Sequence, residues 1–220
     1  MILPWNGREI DVKPTKIIAV ARNYRAHADE MNADVPERPN FFLKPPSALV
    51  AHGGEVVLPR ASARVEYEVE LAVIMGSRVR SITPESVKGA LLGYTIMVDV
   101  TARDIQAGAK KAGMPWTIAK GFDTFAPMGP RIVAPDALDP SNLGIWLNVN
   151  GGPRQRGNTS QMIFSIEDLV SYISTIMTLE PMDVIATGTP SGVGPMQEGD
   201  VIEAGIERIG VLRFTAVRGR

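Results

Sequence analysis

The chain has 220 residues, 23 basic against 24 acidic, with 45% hydrophobic and 21% charged side chains and no cysteine. That length fits one ordinary domain with a sizeable core, and the composition excludes a disordered, collagen-like or fibrous chain. A net charge of −1 offers no global field for nucleic acid or an anionic membrane. The missing cysteines exclude disulfides, thiolate metal sites and a cysteine nucleophile.

The opening MILPWNGREID meets Arg8 and Glu9 before any apolar stretch develops, so it does not read as a signal peptide. Lys16–Ala21 is a short apolar strand, and Asn23–Met31 reads as a short helix or a mobile loop. Tyr67–Met75 begins with strict alternation, as a half-buried strand does. Thr83-Pro84-Glu85 opens a short helix that Gly93 is expected to close. Tyr94–Val100 is β-rich, and Thr101–Ala112 predicts a helix with Gly113 at its C-terminal edge. Ile145–Asn150 leads into Gly151-Gly152, a hairpin turn. Ser165 and Asp168 make a capping box, after which Leu169, Val170, Ile173, Ile176 and Met177 keep helical spacing. Pro181 follows its end, and Asp183–Thr187 and Val211–Val217 complete the strand-like segments. The apolar run between Asp168 and Glu180 is shorter than the roughly 18–20 residues a membrane span needs. With 21 glycines and 17 prolines scattered along the chain, and no repeat or linker, the expectation is one α+β domain over residues 1–220, mainly β, in the cytoplasm.

In a strand, Glu66, Glu68 and Glu70 share one face, while Tyr67, Val69, Leu71 and Val73 take the other. Carboxylates two residues apart lie about 6–7 Å from each other, and partial burial makes their repulsion call for a counter-charge. Two readings stand: a solvated edge with surface glutamates, or a divalent-metal site. Asp99 interrupts an apolar strand between Val98 and Val100, either to cap the helix that follows or to serve as a further oxygen ligand. Such an all-oxygen set favours Mg²⁺ or Mn²⁺, with Ca²⁺ also admissible, over Zn²⁺ or Cu²⁺.

Of the two histidines, His52 lies in a turn-like polar context and reads as a surface residue. His27 and Glu30 would face each other in a helix, as a surface ion pair or as a carboxylate-oriented general base. Lys120 stands in an apolar stretch, either snorkelling or aimed at a developing oxyanion. Thr187–Gly194 is glycine-rich but lacks GxxxxGK[ST], so a backbone-donor cradle for a carboxylate or enolate suits it better than a nucleotide loop.

The ordered runs ARNYRAHADEM, FFLKPPSAL, VEYEVELAVIMG, MVDVTARDIQ, GMPWTIAKGFDTFAPMGP, NVNG…RQ…NTSQMIFS, TGTPSGVGP and EGDVIEAGIERIG resemble the fumarylacetoacetate hydrolase family, in particular its compact acylpyruvase-like branch. The resemblance implies a mixed β-sheet pseudo-barrel with few short helices, usually a homodimer, with residues 1–15 as a short N-terminal segment and 22–37 as a mobile lid. It implies Mg²⁺ or Mn²⁺ on Glu68, Glu70 and Asp99, leaving Glu66 outside the set. It places the lid's H-x-x-E pair on His27 and Glu30, makes Lys120 catalytic, and makes Arg103, Gln106 and Thr189 substrate contacts. The implied reaction is hydrolysis of the C–C bond of a 2,4-dioxo acid, of acylpyruvate or fumarylpyruvate type, through a metal-bound pyruvate enolate. Oxaloacetate decarboxylation and isomerisation or decarboxylation of hydroxymuconate-type diacids are the alternatives, with a non-catalytic ligand-binding protein behind them. Ala21 departs from the glycine many relatives have before the lid. The expected partner is a small 2-oxo acid, with no nucleic acid and no membrane.

Overall fold

The computed structural model describes residues 1–30 and 34–219. In chain order, β1 (Ile2–Trp5) and β2 (Arg8–Asp11) form a hairpin, followed by β3 (Ile17–Ala21), α1 (Arg25–Glu30), β4 (Asn40–Lys44), β5 (Leu49–Ala51) and β6 (Glu55–Leu58). Next come β7 (Val65–Tyr67), β8 (Val69–Met75), α2 (Val87–Ala90), β9 (Leu91–Val98), β10 (Thr101–Ala102), α3 (Arg103–Ala112) and α4 (Thr117–Lys120). The chain ends with β11 (Ala126–Val133), β12 (Gly144–Val149), β13 (Gly152–Asn158), α5 (Ile166–Ile176), β14 (Val184–Ala186), β15 (Gly194–Pro195), β16 (Val201–Ile206) and β17 (Gly210–Arg218).

Among the described residues these strands form three sheets. A mixed nine-stranded sheet runs β2-β1-β11-β9-β8-β14-β3-β4, with β5 also on β11. A five-stranded sheet runs β13-β12-β16-β17-β6, and a small one runs β10-β7-β15. The architecture is mainly β with short helices, as expected. No helix of the described residues is long and apolar enough to cross a membrane.

The centre of the large sheet explains why β8 is buried on both faces. Val69, Leu71, Val73 and Met75 enter the larger core, which the five-stranded sheet also supplies through Leu147, Ala204 and Leu212. Ala72 and Ile74 enter a second, smaller core. The neighbours divide likewise: Ile18 and Ile185 go to the larger core, Ala19 and Ala186 to the smaller. Glu70 shares its face with Ala72 and Ile74 by strand alternation, so the acidic face continues into apolar protein.

Several local expectations change. The strand read from Tyr67 to Met75 is broken at Glu68, between β7 and β8. The helix opened by Pro84 ends at Ala90, and Gly93 lies inside β9, where a side chain would strike the Val133 carbonyl. The helix read from Thr101 starts at Arg103, after the bridge of Thr101 to Glu66. Asp99 does not cap it, since Ala102 holds that position. The α5 capping box forms, with the Ser165 hydroxyl accepting from the Asp168 amide at 3.1 Å. The β12–β13 hairpin turns at Asn150 and Gly151, both at positive φ. Ala21 ends β3, and Arg22 takes the left-handed turn after it, with φ 59°.

Candidate active site

Antiparallel pairing of Val69 with Val98 brings Glu68 opposite Asp99, and the Asp99 amide donates to the Glu68 carbonyl at 2.8 Å. Glu68, Glu70 and Asp99 each offer an oxygen within 4.8 Å of the others, and all three are buried. Of the two readings left open, the solvated edge is therefore wrong for all three glutamates: Glu66 is buried as well. Its carboxylate turns to Arg64 Nε and Arg103 Nε, both at 2.5 Å, and stays outside the cluster.

The charges around this cluster are closely matched. Lys120 Nζ donates to Glu68 at 2.9 Å and to Asp99 at 2.5 Å. Arg103 bonds Glu68 and donates to Gln106 Oε1 at 2.7 Å. Lys120 is buried rather than snorkelling, with its ammonium 4.8 Å from the Phe42 ring centroid. Burial disfavours a Glu68 carboxylate, yet Lys120, Arg103 and His27 hold its pKa well below the ordinary value. Glu70 goes the other way: burial, then repulsion from Asp99 and Glu68, pushes it well above. One carboxyl driven up by two others within reach is the electrostatic mark of a site short of a cation. Three hard oxygens at this spacing fit Mg²⁺ or Mn²⁺.

The surrounding loops aim the remaining groups. Gly188, at φ +98°, donates its amide to Glu70 at 2.7 Å, and a side chain there would strike Asn23 Cβ at 2.7 Å. Gly192, at φ +97°, donates to the Glu30 carboxylate at 3.0 Å. The glycine-rich loop is thus a carboxylate cradle, and the two carboxylates it holds are the protein's own. His27 is buried, with Nδ1 3.3 Å from Oε2 of the exposed Glu30, so the imidazole faces the interior while its carboxylate partner lies at the surface.

A cavity of about 310 Å³ collects these groups. It is lined by His27, Glu68, Glu70, Asp99, Arg103, Gln106, Lys120 and Thr189, so the expected site residues converge, with Glu30 behind His27. Residues 31–33 of the expected lid lie outside the described residues.

Sequence reasoning missed four contributors. Lys44, the buried last residue of β4, donates to Asp99 at 2.6 Å and to the Val100 carbonyl at 3.0 Å. Burial lowers its pKa against the attraction of Asp99. A lysine ending an apolar strand, in FFLK, was the available signal. Gln155 Nε2 donates to Thr189 Oγ1 at 2.8 Å while its Oε1 accepts from the Val69 amide, which positions Thr189. Arg22 and Lys110 also line the cavity. Lys110 was visible as the i+7 partner of Arg103 on α3.

The model for the C-terminal domain of fumarylacetoacetate (FAA) hydrolases matches residues 16–217. An uncharacterized protein of Pyrococcus horikoshii is 59% identical over 212 residues, 96% of this chain and 92% of that one. The mitochondrial oxaloacetate tautomerase of Arabidopsis thaliana is 46% identical over 205 residues, 93% and 92% of the two chains. Among solved structures, fumarylpyruvate hydrolase from Pseudomonas aeruginosa in complex with Mn²⁺ and pyruvate superposes with a TM-score of 0.92. The two are 35% identical, over 100% of this chain and 96% of that one.

Proposed function

Because the chain belongs to the fumarylacetoacetate hydrolase family, we propose that it is a divalent-metal-dependent hydrolase of the C–C bond in a 2,4-dioxo acid of acylpyruvate or fumarylpyruvate type. The observation that carries this is the buried His27, paired with Glu30, in the wall of a cavity that also holds three converging carboxylates. Glu68, Glu70 and Asp99 would hold Mg²⁺ or Mn²⁺, which supplies Lewis-acid polarisation and charge stabilisation at the oxygens of the 2-oxo acid.

The chain's own groups account for the rest. Glu30 accepts from His27 Nδ1–H, so Nε2 keeps the lone pair that takes a proton from water. The water oxygen bonds to the distal carbonyl carbon, the C–C bond to the pyruvate methylene breaks, and the proton on Nε2 returns to the leaving carbon. Lys120 Nζ faces the oxyanion that forms at the distal carbonyl. Gln106 accepts from Arg103 with its oxygen, which leaves its amide N–H groups to the substrate, beside Thr189. The helix α1, carrying His27 and Glu30, acts as the lid that excludes bulk water once substrate is bound.

A second reading, proton transfer or decarboxylation on oxaloacetate, is supported by the 46% identity to the tautomerase. It uses the same 2-oxo acid site without an attacking water. A homodimer belongs to the proposal: Leu43, Met114 and Ile118 are 45%, 61% and 69% exposed, and the first two line an open, largely apolar groove. A cytoplasmic location belongs to it too.

Turnover of acetylpyruvate, fumarylpyruvate and oxaloacetate with Mg²⁺, in wild type and His27→Ala, tests the reaction. Hydrolysis that falls by about 10²–10⁴-fold in the variant supports the hydrolase. Oxaloacetate turnover that survives the substitution, with no acylpyruvate cleavage, replaces it by the second reading.

A further inference from the structure

Cations near the acidic cluster fall into two groups. Lys44, Lys120 and Arg103 are committed to Asp99, Glu68 and Glu66. Arg22 and Lys110 line the same cavity, yet neither makes an ion pair or side-chain hydrogen bond among the described residues. Arg22 Nε is buried with no acceptor, on a residue held in the left-handed region at φ 59°. A buried, unmet guanidinium Nε–H at a cavity wall is costly unless something that enters the cavity accepts it. Lys110 stands at the exposed rim, its ammonium 5.2 Å from the Trp116 ring centroid, and Trp116 meets Phe42 edge-on at 5.6 Å. That aromatic wall holds the lysine over the opening without neutralising it.

The cavity lining also carries an excess of positive charge. Three carboxylates line the cavity against four cations, Arg22, Arg103, Lys110 and Lys120, while Glu66 and Lys44 stand just behind with opposite signs. A divalent cation on Glu68, Glu70 and Asp99 leaves a positive surplus that one substrate carboxylate does not neutralise. The inner, buried end takes the 2-oxo acid group. Arg22 is half-buried and Lys110 exposed, so they face the end of the ligand nearer the opening.

We infer that Arg22 and Lys110 form an anion subsite for a second carboxylate, so that the enzyme acts on dianionic 2-oxo diacids in preference to singly charged acylpyruvates. The inference rests on the reading of the inner site as a 2-oxo acid site and narrows its substrate class. The guanidinium presents a planar pair of donors to the distal carboxylate, and the ammonium adds a point charge from the other side.

Calorimetry on the Mn²⁺-loaded protein, with pyruvate as the one-carboxylate probe and 2-oxoglutarate as the two-carboxylate probe, tests it. The expected result is 2-oxoglutarate bound at least about tenfold more tightly than pyruvate. Arg22→Met should erase that preference and leave pyruvate affinity unchanged, Arg22→Lys should restore part of it, and Lys110→Met should lose part. Lys110 is exposed, so its variant carries the test should Arg22→Met fail to fold. Equal wild-type affinity for the two probes, or parallel loss of both in the variants, overturns the subsite while leaving the inner site standing. If pyruvate shows no Mn²⁺-dependent binding, the inner-site reading falls and the subsite with it.

Discussion

Asp99 receives Lys44 on one oxygen and Lys120 on the other, and Glu68 receives Lys120 and Arg103. Among the described residues, Glu70 has only the Gly188 amide. The cluster is therefore asymmetric: two carboxylates are already compensated, and the third is forced towards its neutral form by burial and by its neighbours. A cation that binds there replaces this penalty with attraction, so metal should stabilise the fold. At a free Mn²⁺ concentration of 100 times Kd the gain is about 2.7 kcal/mol, readable as a rise in Tm. Glu70→Gln should fold and show little of that rise. An equal Mn²⁺-induced shift in wild type and variant would remove Glu70 from the ligand set.

The elements around the site are tied by a few buried polar clamps. Asp183, just before β14, accepts from the Thr15 amide and hydroxyl at 3.0 and 2.7 Å and from the Glu180 amide at 2.8 Å, and it pairs with Lys16. These bonds link the segment entering β3 to β14, its parallel neighbour. Burial raises the carboxyl's pKa, but Lys16, the Glu180 amide and Thr15 outweigh it and leave the group below its ordinary 3.8. The stability it contributes is complete above that value and is lost as pH falls through the lower, folded-state value. Asp183→Asn should cost about 2 kcal/mol at neutral pH and flatten the acid limb of a stability-versus-pH profile measured by urea unfolding. An unchanged acid limb would assign acid sensitivity to other carboxylates. Gln155 and Asn23 work in the same manner on the glycine-rich loop: Asn23 donates to the carbonyls of Phe164 and Thr187 at 3.0 and 2.8 Å.

The assembled chain presents its cavity and the groove holding the exposed Leu43 and Met114 on adjacent surfaces, since Phe42 and Trp116 line both. An interface over that groove would bury Leu43 and Met114 and stiffen the Phe42–Trp116 wall behind Lys120 and Lys110. Sedimentation should show a dimer for wild type and a shift towards monomer for Ile118→Glu, with the variant's unfolding still cooperative. A wild-type monomer at micromolar concentration would refute the dimer.

Some of this could be read along the chain because its cause is local. The α5 capping box and the left-handed Gly113 closing α3 rest on neighbouring residues and formed, and the hairpin expected at Gly151-Gly152 formed one residue earlier, at Asn150–Gly151. Alternation assigned the apolar face of β8 correctly. The ordered motifs named Glu68, Glu70, Asp99, His27 and Lys120, which the fold brings to one cavity, yet alternation could not tell Glu66 from Glu68 and Glu70. Glu66 differs only through Arg64 and Arg103 and through the break at Glu68. Gly93 and Lys44 show the other limit. Gly93 reads as a helix stop until β11 brings the Val133 carbonyl into the space a side chain would need. Lys44 ends a strand with no acidic neighbour in sequence, and its partner lies 55 residues further along. Short-range hydrogen bonding and side-chain period are properties of consecutive residues, so they are legible in order along the chain. Burial, the pairing of charges and the unpartnered Nε of Arg22 depend on distances between remote segments, and only the folded sheets set those distances.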